Sequence, residues 1–501
     1  MKMQMVDQQI IEHIGIPSLV LMERAALGVT RRLFQKFSCE KCLIIVGVGN
    51  NGADGLAIAR QLMEKGVFPE IYICGSLAKA TPQFRIQHQI LEKLGAIFIE
   101  KLEKKPYQVV VDAIFGIGLS RDVQGSYKAV ISFINELECP VVSVDIPSGI
   151  DGSTGVVLGN AVKADMTVTF GFLKSGLLLY PGASYAGEVI LEGAGFHESE
   201  LLRAEEEAYI YEKKDMNKLM PKRKAWSHKG SYGKLLVIAG GNELAGAALL
   251  CTRASLVTGC GMVKLCTGIS NKESVIARNP EVMISTWKKE EEATELISEQ
   301  LKWADAVVFG PGMGESDTTR QILNILLNQN EKPVLLDADA LNVLAQNIEQ
   351  LKTCQTSLIL TPHIKEFSRL SGYSVEEIQQ DLLGKAREFT TKYPVVCVVK
   401  DARSVVTKDG EVAYINISGN SGMATAGSGD VLSGMIGGLL AQGMEEYKGA
   451  TLGVYLHGLA GDCAKRKIGE YSMTAGDIAE HLKDVLGGKD NDTIHESLCT
   501  N

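Results

Sequence analysis

Twice along the chain, short runs of β-branched and apolar residues alternate with segments of helical periodicity, and no other pattern restricts the fold as tightly. Leu43-Ile-Ile-Val-Gly47, Ile71-Tyr-Ile-Cys74, Val109–Val111 and Val141–Val144 are apolar on both faces, as strands covered on both sides by helices must be. Amphipathic segments at 56–65 and 83–94 lie between them. The alternation restarts at Lys234–Ala239 and continues through Gly261–Leu265, Ala306–Phe309, Pro333–Leu336, Leu358–Leu360 and Val395–Val399. Repeated βα units predict an α/β fold, with doubly wound sheets whose ligands bind beyond the carboxyl ends of the strands. A chain of 501 residues exceeds one ordinary core. The charged, weakly apolar stretch His197–Lys229, with Arg203-Ala-Glu-Glu-Glu207 inside it, separates the halves and gives expected domains of 1–210 and 211–501.

A net charge of −9 argues against a general binder of nucleic acid or anionic membrane. Met1–Asp7 lacks an apolar core of signal-peptide length, and the longest apolar stretch, Val431–Met444, is glycine-broken and too short to cross a bilayer. A cytoplasmic location is the expectation. The eleven cysteines are an odd number, and Cys74, Cys266 and Cys397 fall in strand-like runs, so reduced, buried thiols are expected. Cys39 and Cys42 have the spacing of half a zinc knuckle, but no second pair follows.

Two glycine-rich segments carry the chemistry. Thr425-Ala-Gly-Ser-Gly-Asp-Val-Leu-Ser-Gly434 leads into an apolar helical run. Backbone amides at Gly427, Ser428 and Gly429 can approach an anion there, and the following helix adds its positive N-terminal dipole. Asp430 then stands where it can take a proton from a hydroxyl that is being phosphorylated. Gly47-Val-Gly-Asn-Asn-Gly-Ala-Asp-Gly55 follows a strand and precedes a helix, the context of a dinucleotide loop. Its two asparagines and its aspartate suit a hard cation, a ribose or an amide. Asp112, Asp145 and Ser148 fall at the ends of later strands and can meet it in one crevice.

Gly47–Gly55, Val111-Asp-Ala-Ile-Phe-Gly-Ile-Gly118 and Val144-Asp-Ile-Pro-Ser-Gly149 resemble the signature blocks of NAD(P)H-hydrate epimerases. Gly310-Pro-Gly-Met-Gly314, Thr361–Leu370 and Thr425–Gly434 resemble those of ADP-dependent NAD(P)H-hydrate dehydratases. Together they cover nearly the whole chain, in the order of the bifunctional NAD(P)HX repair enzymes. The resemblance implies a Rossmann-like first domain, a ribokinase-like second domain and a homo-oligomer. It implies that Asn50, Asn51, Gly52, Ala53, Asp54, Gly116, Ile117, Gly118, Leu119, Ser120, Arg121, Asp122 and Asp145 hold the NADH or NADPH hydrate. Asn51, Asp112 and Ser148 would bind K⁺, with Asp122 a candidate for proton transfer. In the second half it implies that Ala247, Gly314 and His363 contact the hydrate and that Asp430 acts on it. Lys400, Asp401, Ala402, Arg403, Ser404 and Gly429 would hold ADP, the phosphoryl donor, with Mg²⁺. The chain departs from the family pattern with Ala53 and Asp401, each where glycine is common.

Several residues keep two readings. His363 is a turn histidine or a ligand contact; Asp337 and Asp339 are helix caps or a cation pair; Lys174 approaches a dinucleotide phosphate or lies on the surface. His228 and Lys229 read as solvated. Two other functions compete: a vitamin-alcohol kinase fused to a nucleotide-binding domain, and a first half that senses dinucleotides without catalysis.

Overall fold

The computed structural model describes residues 6, 10–193, 195, 207–241 and 244–487; Met1–Met5 and residues 197–206 of the charged boundary stretch lie outside them. Two compact units divide between residues 206 and 207.

The first unit contains β1 (Cys42–Val46), β2 (Glu70–Ile73), β3 (Ile97–Ile99), β4 (Val109–Ala113), β5 (Val141–Val144), β6 (Met166–Phe170) and β7 (Glu188–Glu192). They form one parallel sheet in the order β3-β2-β1-β4-β5-β6-β7, so the strand order reverses between β1 and β4, where doubly wound sheets open a crevice. The two-residue period of a strand splits β1 between two cores. Ile44 and Val46 pack under helices α1 (Ser18–Lys36) and α2 (Asn50–Glu64), with Leu33, Leu56 and Leu62. Leu43 and Ile45 face the other way, with Val110, Ile131 and Ile134. The turn from β1 to α2 is so tight that a Cβ on Gly52 would lie 1.8 Å from the Gly47 carbonyl oxygen.

In the second unit β8 (Ala208–Tyr209) precedes β9 (Lys234–Ile238), β10 (Met262–Gly268), β11 (Met283–Trp287), β12 (Ala306–Phe309), β13 (Val334–Leu336), β14 (Leu358–Leu360), β15 (Val396–Val399), β16 (Val405–Thr407) and β17 (Ala413–Ile415). The sheet order is β11-β10-β9-β12-β13-β14-β15-β16-β17-β8, parallel from β11 to β15 and antiparallel through β16 and β17. Ala208 and Tyr209 pair with β17, so they join this sheet.

The site-bearing helices here are α3 (Ala245–Val257), α4 (Asp339–Ala345), α5 (Ile364–Ser371), α6 (Ser428–Ala441) and α7 (Glu446–Ile468). Helix α6 is buried at every position from Val431 to Ala441, as a helix apolar all round must be. Its glycines admit neighbours: a Cβ on Gly434 would lie 2.1 Å from the Cys251 oxygen of α3, and one on Gly437 2.3 Å from Val308 of β12. No helix among the described residues is long and apolar enough to cross a membrane. The ten described cysteines are all free, Cys39 and Cys42 are buried, and no described group of His, Cys, Asp or Glu has the makings of a metal cluster.

Candidate active sites

In the first unit a cleft of about 750 Å³ opens where the strand order reverses. Asn50, Asn51 and Asp54 line it from the start of α2; Gly116, Ile117, Gly118, Leu119, Ser120 and Arg121 line it from the loop after β4. Asp145, after β5, lines it too. The fold thus brings together most of the residues that the motifs singled out. Gly52 and Ala53 lie beneath, buried in the first turn of α2, where their small size lets the helix approach β1. Asp122 is exposed and outside the cleft lining. The turn that follows Arg121 carries its side chain toward Gly159 instead.

Asp112 is fully buried below the cleft floor. Its Oδ1 accepts from Ser148 Oγ at 2.6 Å and Ile114 N at 3.3 Å, and its Oδ2 from Ser143 Oγ at 2.8 Å and Ser148 N at 2.9 Å. Burial raises its pKa against these four donors, which favour the carboxylate. Asp112 therefore ties the loop after β5 to the end of β4. The Asn51 side chain lies against Gly116, and its amide nitrogen is buried with no partner among the described residues.

Lys174 is no surface lysine. It is 8% exposed, lines the cleft, and donates to Asp145 Oδ1 at 2.7 Å, Thr169 Oγ1 at 2.8 Å and the Phe170 carbonyl at 2.8 Å. The sequence singled it out only as a phosphate contact or a surface residue, and its partner was not visible there.

In the second unit the candidate residues converge at the ends of β13, β14 and β15 and at the start of α6. Gly427 caps α6 with φ +90°, a left-handed geometry suited to glycine, and Asp430 lies in the first turn. Among the described residues no donor binds the Asp430 carboxylate. Burial, then the negative charge of Asp337, pushes its pKa up to about 7, with Lys400 opposing and Asp339 adding to the rise. Lys400 Nζ lies 2.8 Å from Asp337 Oδ1, and Ser433 Oγ donates to Asp337 Oδ2 at 2.7 Å. Asp337, barely exposed at 1%, thus spends its oxygens on a lysine and a serine, while Asp339 Oδ2 accepts from Gly314 N at 2.8 Å. Neither caps a helix with its side chain. Ala338 between them has φ +50°, a conformation a side chain rarely takes.

A Cβ on Gly429 would come 3.1 Å from Lys400 Nζ, so this ammonium lies against the first turn of α6. Lys400 is followed by the turn Asp401–Ser404, which connects β15 to β16. Asp401 replaces the family's glycine without strain, because Asp145 and Ala338 are the only non-glycine residues with positive φ among those described. Arg403 donates to the Ile417 carbonyl and keeps its Nε buried without a partner.

His363 caps α5: its Nδ1 accepts from Lys365 N and Glu366 N, while Glu366 Oε2 accepts from His363 N. The ring is half exposed at 50%, and burial and Lys400 lower its pKa, so both the turn and the contact reading have a physical basis. Ala247 on α3 lies against Gly312, two residues before Gly314, since a Cβ on Gly312 would meet Ala247 Cβ at 3.1 Å. His457 escaped the sequence reading. It is buried on α7, 3.3 Å from Ser428 Oγ, and burial holds its pKa near 4, leaving it neutral. A lone histidine in an apolar helix has no spacing that points to Ser428.

A crevice at a Rossmann-order switch point and a glycine-capped helix start with an open carboxylate define a nucleotide-handling α/β enzyme. Residues 18–176 match the family described as YjeF-related protein N-terminus, and residues 235–484 match NAD(P)H-hydrate dehydratase. A bifunctional NAD(P)H-hydrate repair enzyme of Thermofilum pendens is 37% identical over 97% of this chain and 95% of its own length. That of Moorella thermoacetica is 35% identical over 94% of this chain and 93% of its own. A crystal structure of a ribokinase-like superfamily protein from Enterococcus faecalis, 29% identical, covers 56% of this chain and 95% of its own at a TM-score of 0.50. The chain belongs to the bifunctional NAD(P)H-hydrate repair enzyme family.

Proposed function

We propose that the chain restores hydrated nicotinamide cofactors, the first unit equilibrating the R and S hydrates and the second dehydrating the S form at the expense of ADP. The observation that carries this reading is Asp430: a carboxylate without a donor, with pKa about 7, beside Lys400 and the amides of a helix start. The hydrate's C6 hydroxyl leaves poorly as hydroxide. Asp430 takes its proton as the oxygen attacks the β-phosphorus of ADP, releasing AMP. The C6–O bond of the ester then breaks to release phosphate, and loss of a C5 proton restores the double bond. Positioning and charge stabilisation suffice for such a transfer. Lys400 and the Gly429 amide supply them, with the turn Asp401-Ala402-Arg403-Ser404 around the nucleotide. Ala247, Gly314 and His363 hold the hydrate.

In the first unit Asn50, Asn51, Asp54, Gly116–Arg121 and Asp145 hold the hydrate, and Gly52 and Ala53 shape the loop. Asp122, exposed away from the lining, is left out of this set. The residues assigned to K⁺ fit a cation. Ser148 Oγ has a second acceptor in the Phe115 carbonyl at 3.3 Å, so turning its hydroxyl frees a lone pair on Asp112. Turning the Asn51 amide brings its oxygen to the buried point now held by nitrogen. Asn51, Asp112 and Ser148 would then hold K⁺, which balances the buried Asp112 charge. Asp337 is spent on Lys400 and Ser433, and the described residues offer no carboxylate cage. Mg²⁺, which keeps phosphate and water ligands readily, would neutralise phosphate charge near Asp430. We place the chain in the cytoplasm as a homo-oligomer.

Purified chain is incubated with ADP and hydrated NADH, and recovery of the reduced-nicotinamide absorbance is followed. ADP-dependent recovery is expected. Absent recovery with ADP or ATP, alongside phosphorylation of a vitamin alcohol, reverses the assignment in favour of the kinase.

A further inference from the structure

The cleft of the first unit holds a carboxylate prepared for chemistry, not only for binding. Asp145 has φ +69°, one of two side-chain-bearing residues with positive φ among those described. Positive φ is uncommon outside glycine, and such positions are found at functional sites. The surroundings here are specific. Lys174 Nζ and Thr169 Oγ1, at 2.7 and 3.1 Å, both reach Oδ1 of Asp145, while no described residue donates to Oδ2. All three ammonium donors of Lys174 are engaged within the protein, on Asp145, Thr169 and the Phe170 carbonyl. Lys174 therefore has nothing left to offer a substrate directly; it holds Asp145. Asp145 itself lines the cleft, with one oxygen clamped and the other open.

The geometry points to Asp145 as the proton-transfer residue of the epimerase and to Lys174 as the residue that positions it. This rests on the epimerase reading of the first unit. One carboxylate is enough for the exchange. Asp145 takes the proton of the C6 hydroxyl, and that O–H electron pair becomes the second bond of a C6 carbonyl. The C6–N1 bond breaks with its pair going to N1, which takes the proton back from Asp145. Rotation about C5–C6 turns the other carbonyl face toward N1, and the same steps in reverse close the opposite epimer. No oxidant or further reactant is required. The other charged or titratable groups lining the cleft are Asp54, Arg121 and Tyr127, and Lys174 is the one paired with Asp145.

The test uses the full chain and hydrated NADH enriched in the R form, without ADP, with the epimer ratio followed chromatographically. Asp145→Asn keeps the shape, and asparagine tolerates positive φ. It is expected to slow interconversion by about 10²–10⁴-fold, the usual share of a positioned acid–base group, while the hydrate still binds by equilibrium dialysis. An unchanged thermal unfolding profile of the same sample reports that both units have folded. Lys174→Met releases Asp145 Oδ1, so kcat for interconversion falls while KM for the hydrate is kept, with Lys174→Arg restoring part of the loss. Parental interconversion by Asp145→Asn, beside an active wild type, overturns this inference alone, as does loss of activity confined to Asp122→Asn. A parental kcat in Lys174→Met overturns the role of the lysine. A wild type that binds the hydrate yet leaves the ratio unchanged overturns the epimerase reading and this assignment with it.

Discussion

In the first unit a lysine grips the aspartate that faces the cleft; in the second, Lys400 grips Asp337 and leaves the neighbouring Asp430 without a donor. Both aspartates stand next to a parallel sheet, each in reach of one lysine's field. The difference lies in which acid the ammonium bonds. Asp145 shares its charge with Lys174, whereas Asp430 sits in the field of a second carboxylate and is pushed up to about 7. A base paired with an ammonium is held in place; a base beside another acid is made avid for protons. The two reactions ask for these two things. A reversible proton shuttle needs orientation, and abstraction from an alcohol gains from basicity near the working pH.

The largest effect that tests this contrast is Asp430→Asn, expected to lower ADP-dependent recovery by about 10²–10⁴-fold while leaving interconversion of the epimers intact. Equal loss of both activities breaks the separation of the two sites. The same substitution has a stability signature. A carboxyl at about 7 when folded, and near its ordinary value unfolded, binds more protons in the folded state between those limits. Its contribution is therefore present at low pH and lost as pH rises through about 7. Asp430→Asn should raise the melting temperature relative to wild type at pH 8 more than at pH 5.

Next in size is Gly52→Ala. A Cβ 1.8 Å from the Gly47 oxygen forces strand and helix apart, at a cost of about 1–3 kcal/mol. Thermal unfolding should show the loss, and interconversion should suffer more than dehydration. Smaller again is the shift of the pH profile. Recovery by the wild type should rise through about pH 7 as Asp430 ionises, and Asp337→Asn should move that limb lower by removing the like charge and freeing Lys400. A limb that stays in place means burial alone sets the basicity. The smallest effect is Ala338→Gly, which relieves a φ of +50° and should stabilise the second unit by about 1 kcal/mol in denaturant unfolding.

Much of this was legible beforehand, for reasons that differ by residue. The strands β1, β4, β9 and β12 announce themselves because burial on both faces demands unbroken apolar runs. The segments β16, β17 and β8 did not, since no helix separates β15, β16 and β17 to mark a βα unit and β8 is two residues long. Gly116–Arg121 reads as a ligand loop because it follows a strand directly, and these residues line the cleft. Asp122, one residue further, belongs to the same motif but turns outward, a change of direction that spacing does not encode. Asp337 read only as a cap or half of a cation pair, and its bond to Lys400 belongs to neither reading.

What the amino-acid order determined by itself is local: the alternation that makes parallel sheets, the glycines that let helix starts approach strands, and the carboxylates at strand ends. These depend on neighbours a few residues away, whose periodicity and size are written in the chain. What only the folded arrangement decided is which charge meets which. Lys174 finds Asp145 across 29 positions and Lys400 finds Asp337 across 63, through sheets whose strand order is not the order of the chain. Electrostatic pairing acts over a few ångströms of space, so the permuted strands, and not the spacing of the letters, set the chemistry of each aspartate.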